Sequence, residues 1–242
     1  ACTEHAFQGS IGLGRSVASA KNRRFFMENL IISISAVSYA DSRYRKTIKN
    51  SKKVGKGIII TIAERHDETK IKLSNAINEF IQIKNIYENI PECQTNFVYS
   101  KEKPKSIKEI LGISGRIVKA GKEVIIAGNL SYGGSKHVAT ALLTVNKKYS
   151  KIKSAINLKY KKETISKIRK VKLTTYDYNR AQEPQNVKNK GSTIEWGIKN
   201  AIKNSRKPPD IIYHKGDFGK EPMIIVFAET PDILMKKIIK II

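Results

Sequence analysis

The feature that most constrains the fold is the stretch at residues 115–139, GRIVKAGKEVIIAGNLSYGGSKHVA. It contains two short apolar runs, 116–120 and 123–127, separated by a glycine-containing segment, which predicts a β-hairpin. A glycine-rich loop at 128–135 follows, and apolar residues then recur at helical spacing from residue 136. A hairpin, a loop and a helix in such close succession predict a domain in which strands and helices are mixed.

The same stretch predicts an anion-binding site. Gly133 and Gly134 let the backbone approach a ligand closely, and Ser135 is positioned to cap the helix. The free amides of a first helical turn attract phosphate. Lys136 and His137 lie in that turn, where cations are unfavourable by roughly 0.3–1 kcal/mol unless an anion is shared. A Gly-Gly-Ser turn before a helix also occurs without a ligand, so a phosphate site and a plain N-cap both stay open.

Short apolar runs and amphipathic stretches continue along the chain without strict βαβ order. Strands are predicted at 58–63, 96–100, 155–160, 174–178, 210–214 and 224–228, and helices at 67–86, 106–111, 163–172, 192–204 and 230–242. Asp67 and Thr230 are predicted N-caps, and Pro231 suits a first helical position. The pattern predicts a layered α/β domain with a mixed, largely antiparallel sheet.

The first 56 residues form a small basic N-terminal segment, with 11 lysines and arginines against 3 acidic residues. Residues 32–39, followed by Arg43 and Arg45, are similar to a helix-turn-helix recognition helix, in which small polar residues face bases and arginines bind phosphates. A packing helix or strand with a solvated basic flank explains them equally. The predicted organisation is therefore a basic segment at 1–56 and a larger domain at 57–242.

Composition limits the classes of function. The net charge of +25 is spread along the chain, which makes it weak support for a nucleic-acid partner. The two cysteines are too few for a disulfide scaffold. No apolar run approaches the roughly 18 residues of a membrane span, and a signal-peptide pattern is absent, so we expect a cytoplasmic protein without a membrane partner.

Several common catalytic and metal-binding motifs are missing from the sequence. The four histidines form no HxH or HxxxH pair, which argues against a histidine metal centre. The GxSxG, GxxxxGK[ST] and GxGxxG patterns are missing, so hydrolase, P-loop and dinucleotide-binding functions have no support. What remains is a set of polar residues in tight, glycine-bearing loops, the kind of segment that often carries function.

A series of motifs resembles the ThiN family, the archaeal type of thiamine-phosphate synthase. In chain order they are IPECQTN at 90–96, GISGRIV at 112–118, YGGSKHVATALL at 132–143, AINLKY at 155–160, EP at 183–184 and DIIYHKGDFGKEPMIIVF at 210–227. The resemblance covers residues 66–242. It implies a three-layer α/β/α domain around a mixed sheet.

The resemblance also implies an activity and a site. The reaction joins hydroxymethylpyrimidine diphosphate to a thiazole phosphate and releases pyrophosphate, so small phosphorylated molecules are the expected partners. Arg116 and His137 occupy the positions that the family needs for catalysis. The candidates for substrate binding are Asn96, Gly133, Gly134, Ser135, Lys136, Asn157, Glu183, Asp217, Lys220, Glu221 and Met223. Mg²⁺ is the implied cofactor, and a homodimer is left open.

Two roles for the acidic residues near the C-terminal motif stay open. In the first role, Asp217 or Glu221 holds Mg²⁺ against the pyrophosphate. In the second, one of them forms a hydrogen bond with the edge of the aminopyrimidine.

A second class of function competes with the enzyme. ThiN-like domains also follow helix-turn-helix segments in regulators of thiamine genes, where the domain senses a ligand and the catalytic pair is expected to be lost. The basic segment at 1–56 favours such a regulator, with DNA as its partner. The retained Arg116 and His137 favour the synthase.

Overall fold

The computed structural model describes residues 67–242, and the predictions for 1–56 and for the strand at 58–63 lie outside this part. Its strands are β1 (Phe97–Tyr99), β2 (Leu111–Ile113), β3 (Arg116–Ala120), β4 (Glu123–Ala127), β5 (Leu130–Tyr132), β6 (Ser154–Lys159), β7 (Thr175–Asp177), β8 (Ile211–His214) and β9 (Met223–Ala228). Its α-helices are α1 (Glu68–Ile81), α2 (Lys136–Lys148), α3 (Lys162–Lys170), α4 (Gln185–Asn189), α5 (Thr193–Ile202) and α6 (Pro231–Ile241).

Seven strands form one sheet in the order β5-β2-β1-β6-β9-β8-β7, and β3 pairs with β4 as a separate hairpin. Every neighbouring pair in the large sheet is antiparallel except β7 and β8, which run parallel. Val98 in the middle of β1 lies opposite Gly112 of β2 and Ala155 of β6. The prediction of a mixed, largely antiparallel sheet is confirmed.

Helices cover both faces of the sheet. Helices α1, α3 and α6 pack on one face through residues such as Phe80, Ile168 and Leu234. Helices α2 and α5 pack on the other through residues such as Leu142 and Ile198. Each of these side chains contributes about 1.5–3 kcal/mol by its burial, so both faces are strongly fixed. The domain is a three-layer α/β/α arrangement, as predicted.

The predicted ends of two helices are confirmed. The Asp67 carboxylate accepts the amides of Thr69 at 3.0 Å and Lys70 at 3.3 Å, and so caps α1. The Thr230 hydroxyl accepts the amide of Ile233 at 3.3 Å, with Pro231 at the first position of α6. The described helices are all too short or too polar to cross a membrane.

Four local predictions differ from the structure. Helix α1 ends at Ile81 rather than at residue 86, because Asn85 adopts a left-handed φ of 58° before a short 3-10 turn. The helix predicted at 106–111 is only a 3-10 turn, which leads into β2. Strand β5 lies within the predicted glycine-rich loop, and α4 follows directly after the turn at 179–184.

Candidate active site

Polar residues gather at one edge of the large sheet. Asn96 precedes β1, Asn157 lies in the second half of β6, and His214 ends β8 beside Met223 at the start of β9. Helix α2 begins at the same edge, because Gly112 in β2 leaves room for Ser135. A Cβ built on Gly112 would stand 3.2 Å from the Cβ of Ser135. The sheet edge and the start of α2 therefore form one pocket wall.

Asn96 and Asn157 connect the main-chain segments of this edge. The buried Asn96 amide donates to the carbonyls of Ile113 at 2.8 Å and Gly115 at 3.0 Å, and its oxygen accepts the Ile113 amide at 3.1 Å. The side-chain oxygen of Asn157 accepts the main-chain amide of Asn96 at 2.7 Å. The side-chain nitrogen of Asn157 donates to the Gln94 carbonyl at 2.9 Å. In the structure these two residues position the turn between β2 and β3, which precedes Arg116.

The side chain of Asn157 also reaches the start of β9. Its amide nitrogen lies 3.5 Å from the Sδ of Met223. Both residues belong to the face of the sheet that α2 covers, because Met223 packs against the core of that face. The structure therefore brings together Asn96, Asn157 and Met223, three of the predicted site residues.

Arg116 begins β3 and lies on the side of α2. The next residue, Ile117, is fully buried against α1 and its neighbours, and side chains alternate along a strand. The guanidinium of Arg116 donates to the Gly115 carbonyl at 2.8 Å, the same carbonyl that Asn96 holds. This shared carbonyl ties the position of the guanidinium to the Asn96 network.

His137 lies in the first turn of α2, where the charges of three basic residues act on it. Partial burial lowers the pKa of His137, and the positive charges of Arg116, Lys136 and Arg180 lower it further. Like charges disfavour the protonated imidazole, so the ring is held toward its neutral form in the free protein. A site with this excess of positive charge is suited to an anion.

The start of α2 differs from the prediction in its hydrogen bonds. Ser135 occupies the N-cap position, but its hydroxyl forms no capping bond. The amide of Gly133 donates to the Ile110 carbonyl at 2.9 Å and that of Gly134 to Ser131 at 3.1 Å. These two glycine amides are therefore not free to bind a phosphate, because that of Gly133 bonds to the segment before β2 and that of Gly134 bonds within the turn. The amides at the start of α2 lack acceptors within the helix and stay available to a ligand.

Backbone conformation and the close approach of main-chain atoms explain why residues 133 and 134 are glycines. Gly133 adopts a positive φ of 79°. A Cβ on Gly134 would stand 2.5 Å from the Gly112 carbonyl oxygen, which is too close for a real contact. Both positions therefore require glycine in order to bring α2 against β2.

Arg180 and Glu183 form a buried pair after β7. The guanidinium nitrogen Nη2 of Arg180 lies 3.7 Å from one carboxylate oxygen of Glu183, and the Thr193 hydroxyl donates to the other oxygen. Arg180 is 8% exposed and Glu183 is 7% exposed. Glu183 was predicted from the sequence, whereas Arg180 was missed, although it stands three residues before the Glu-Pro motif.

His214 is a second residue that the sequence did not single out. Its ring centroid lies 5.1 Å from that of Tyr178, and its Nδ1 accepts the Gly216 amide at 3.1 Å. Burial, with the charge of Arg180, lowers the pKa of His214 to about 4. The imidazole is therefore neutral at pH 7, and because Nδ1 is an acceptor, the proton is on Nε2.

Glu221 holds the loop at 215–222 against the segment that precedes β1. Its two carboxylate oxygens accept the amides of Glu92 at 2.8 Å and Cys93 at 3.1 Å. Asp217 and Lys220 pair through their main chains in a tight turn, with the fully exposed Phe218 at its tip. Partial desolvation and the Glu221 charge raise the pKa of the exposed Cys93 thiol to about 11, so it is protonated at pH 7.

The acidic residues of this loop do not fit a magnesium site. Both oxygens of Glu221 are used by amides, and Asp217 lies exposed in the turn. In residues 67–242 no three histidine, cysteine, aspartate or glutamate side chains group together in a way that would hold a metal. Mg²⁺ usually keeps several waters and is bound through substrate phosphates with only one or two carboxylates.

A separate surface cleft of about 610 Å³ lies near α3 and the C-terminal end of the chain. It is lined by Lys84, Glu88, Lys161, Lys167 and Ile242, among others. None of its lining residues is a predicted site residue, so the pocket at the start of α2 is the better candidate.

The fold and the site define a class: a three-layer α/β protein with basic residues where a helix begins beside a sheet edge, an arrangement suited to a phosphorylated anion. Comparison with known proteins gives the family. A family model described as thiamine-phosphate synthase ThiN matches residues 72–240. The chain therefore belongs to the ThiN family, which confirms the resemblance found in the sequence.

Individual relatives agree with this assignment. Over 154 residues the chain is 32% identical to the thiamine-phosphate synthase ThiN of Methanothermobacter thermautotrophicus, covering 63% of this chain and 81% of that protein. Over 150 residues it is 37% identical to the bifunctional thiamine biosynthesis protein ThiDN of Methanocaldococcus jannaschii, covering 62% of this chain but only 35% of that longer protein.

A solved structure supports the same fold. The crystal structure of the C-terminal domain of a phosphomethylpyrimidine kinase has a TM-score of 0.68 and 42% sequence identity with this chain. The match covers 72% of this chain and 98% of the solved domain.

Proposed function

We propose that the chain is a thiamine-phosphate synthase, which joins hydroxymethylpyrimidine diphosphate to a thiazole phosphate and releases pyrophosphate. Membership of the ThiN family and the relatives named for thiamine biosynthesis support this function. One observation carries the proposal at the level of the site: the positive charges of Arg116, Lys136 and Arg180 all act on His137 at the start of α2.

The chemistry explains why these residues are needed. In the reaction the bond between the pyrimidine methylene and the diphosphate oxygen breaks, and its electron pair leaves with pyrophosphate. The thiazole nitrogen donates its lone pair to the methylene carbon and becomes a cation. Negative charge therefore develops on the leaving group, and donors that are already in place stabilise it without reorganisation.

Arg116 and the start of α2 supply these donors. A guanidinium binds two oxygens of a phosphate through parallel hydrogen bonds, which fixes the leaving group in direction as well as in position. The first-turn amides and the Lys136 ammonium add further donors on the other side. The diphosphate is then held while the thiazole nitrogen approaches in line.

His137 acts as a donor to the leaving phosphate. The neighbouring cations lower the pKa of His137 in the free protein. A bound diphosphate neutralises Arg116 and Lys136 and raises the pKa of His137 again, so the imidazole takes up a proton when substrate binds. The imidazolium then donates a hydrogen bond or a proton to the departing pyrophosphate.

Mg²⁺ stays part of the proposal as a counter-ion to the diphosphate. Its ligands would come mainly from the phosphate oxygens and water, which is the usual arrangement for this ion. We place the reaction in the cytoplasm. The homodimer and the DNA-binding regulator stay sequence predictions; the latter depends on residues 32–39, outside the described part, and no comparison supports it.

The experiment mixes the purified chain with both phosphorylated precursors and Mg²⁺ and measures thiamine phosphate by mass spectrometry together with pyrophosphate release. Equal amounts of the two products, absent when either precursor is omitted, are the expected result. A band-shift titration against thiamine-gene DNA over a range of salt concentrations runs in parallel. If no thiamine phosphate forms and the chain binds this DNA in a sequence-specific complex with a steep salt dependence, the synthase proposal is rejected in favour of the regulator.

A further inference from the structure

Two unpartnered buried polar atoms belong to residues that lie close together in the chain, in the segment beside His214. Among residues 67–242, three buried side-chain polar atoms lack a hydrogen-bond partner, and two of them are the Tyr178 hydroxyl and Nε of Arg180. Tyr178 is 5% exposed and Arg180 is 8% exposed. Leaving such groups unpaired is unfavourable, and native proteins rarely do so without a functional reason. Two such atoms two residues apart indicate a missing partner.

The Tyr178 ring cannot turn away to find another partner. It packs directly on the backbone of α5, since a Cβ added to Gly197 would stand 2.2 Å from the ring. The Trp196 ring meets it edge-on, with centroids 6.2 Å apart, and the His214 ring lies on another side. Burial raises the pKa of Tyr178 to about 12, so the hydroxyl keeps its proton at pH 7 and stays a donor.

The Arg180 guanidinium is oriented but not fully engaged. Glu183 approaches it at Nη2 and is itself fixed by the Thr193 hydroxyl, which leaves Nε without an acceptor. The charge of Arg180 reaches both His214 and His137, so it acts on the pocket at the start of α2 as well. The Glu221 carboxylate, in the loop after β8, is occupied by the amides of Glu92 and Cys93.

The Arg180, Tyr178 and His214 side chains are all hydrogen-bond donors. Nε of Arg180 and the Tyr178 hydroxyl carry protons without acceptors, and Nε2 of His214 carries the proton of the neutral imidazole. A ligand that matches three donors and one cation is an anion with several acceptor oxygens. A phosphate monoester has these properties.

We propose that Arg180 is a substrate-binding residue whose guanidinium, with the Tyr178 hydroxyl and the His214 imidazole, binds the phosphate monoester of the thiazole substrate. The proposal rests on the proposed function, which brings two phosphorylated molecules into one pocket. Arg116, Lys136 and the start of α2 account for the diphosphate. The second anion needs its own cation, and Arg180 supplies it.

Steady-state kinetics of Arg180 variants test the assignment. Arg180→Lys keeps the positive charge but loses Nε and the planar guanidinium. Arg180→Ala loses the charge as well as the guanidinium. We expect the KM for thiazole phosphate to rise about 10-fold in the first variant and on the order of 10²-fold in the second, as for hydrogen bonds to charged groups. The KM for the pyrimidine diphosphate stays within about twofold. Arg169→Ala is the matched control, because this exposed arginine lies in α3 on the opposite face of the sheet.

Tyr178→Phe separates binding from folding. Its hydroxyl has no partner in the free protein, so removing it leaves the thermal midpoint unchanged or raises it. The same change raises the KM for thiazole phosphate several-fold if the hydroxyl binds the monoester. Added guanidinium ion lowers the KM of Arg180→Ala toward the wild-type value, which a merely structural role would not produce.

The outcomes that overturn the assignment are specific. An unchanged KM for thiazole phosphate in both Arg180→Lys and Tyr178→Phe would overturn it, and so would a rise confined to the diphosphate. If the wild-type chain makes no thiamine phosphate at all, the proposed function fails instead. Calorimetric titration with thiazole phosphate then tests the subsite by itself, and equal affinity of wild type and Arg180→Lys rejects it.

Discussion

At the scale of single residues, the proposed activity depends on Arg116 and on His137, whose pKa is lowered by neighbouring positive charges. We predict that Arg116→Ala or His137→Ala lowers kcat/KM by about 10²- to 10³-fold, the usual loss when one preorganised donor to a developing anion is removed. Steady-state assays of thiamine phosphate formation measure the effect, with Arg169→Ala as a control for loss of charge alone. Near wild-type turnover in both variants would refute the assignment of this pair.

His214 gives a prediction about stability and pH. In the unfolded chain its imidazole takes up a proton below about pH 6.5, whereas in the native protein its pKa is about 4. The unfolded state therefore binds more protons between these values, and the free energy of unfolding falls as the pH drops from 6.5 to 4. At pH 5 this one group accounts for a loss of about 2 kcal/mol relative to pH 7.

The matching variant is His214→Gln, which does not titrate. Urea denaturation at pH 7 and pH 5 gives the loss of stability on acidification for each protein, and the loss in the variant is smaller by about 2 kcal/mol. For each protein only the change in the free energy of unfolding between pH 7 and pH 5 is compared. A loss of packing that the substitution causes equally at both pH values therefore cancels. An equal loss in wild type and variant would contradict the low pKa of His214.

Residues of the site differed in how far the sequence revealed them. Arg116 and His137 lie in glycine-bearing motifs that local pattern and family resemblance both mark. Arg180 and His214 stand in stretches that read as a polar turn and a strand end, and their chemistry arises from burial by α5 and neighbouring strands. No local pattern in one sequence reports that burial, because the covering elements come from elsewhere in the chain.

At the scale of elements, the Asn96 side chain determines where β3 begins. Changing Asn96 to Asp keeps the shape but replaces two donated hydrogen bonds with contacts between a carboxylate and two carbonyl oxygens, those of Ile113 and Gly115. We predict a loss of about 3 kcal/mol in the free energy of unfolding. We also predict a fall in kcat/KM of the folded protein, because Arg116 follows directly after the Gly115 carbonyl.

Asn146 provides a closely matched control at the other end of α2. It is buried and donates to the carbonyls of Ser150 at 3.2 Å and Ile152 at 2.8 Å, so Asn146→Asp causes the same kind of repulsion far from the pocket. Both variants lose stability in urea titrations, but only Asn96→Asp loses kcat/KM when measured under conditions where each is folded. If the two lose activity equally, Asn96 does not position the site.

The elements themselves show what periodicity can and cannot reveal. The hairpin at 116–127 and helix α6 were predicted closely, since their apolar patterns and turn or cap residues lie within one segment. Strands β2 and β5 were missed because neither shows a local strand pattern: β2 exists through its pairing with β1 and β5, and β5 through its pairing with β2, Ser131 with Gly112. Such a pairing depends on the whole sheet, which is a non-local property.

At the scale of the whole molecule, Arg65–Ile242 forms one compact unit. Within its described part, both faces of the large sheet are covered by helices of the same unit, and all the residues of the proposed site belong to it. A domain of this size that contains its own core is expected to fold independently. The synthase proposal requires nothing from residues 1–64.

We therefore predict that a fragment consisting of Arg65–Ile242 folds by itself and forms thiamine phosphate with a kcat/KM within about twofold of the full chain. Circular dichroism, thermal denaturation and the coupled assay compare the two proteins. A second fragment that also lacks residues 230–242 is the control, because α6 buries Leu234, Met235, Ile238 and Ile241 against the sheet. Their burial contributes about 6–12 kcal/mol, as much as the whole stability of a typical domain, so this fragment unfolds. If Arg65–Ile242 is folded but inactive while the full chain is active, the basic segment takes part in the reaction, and the site is larger than the pocket at the start of α2.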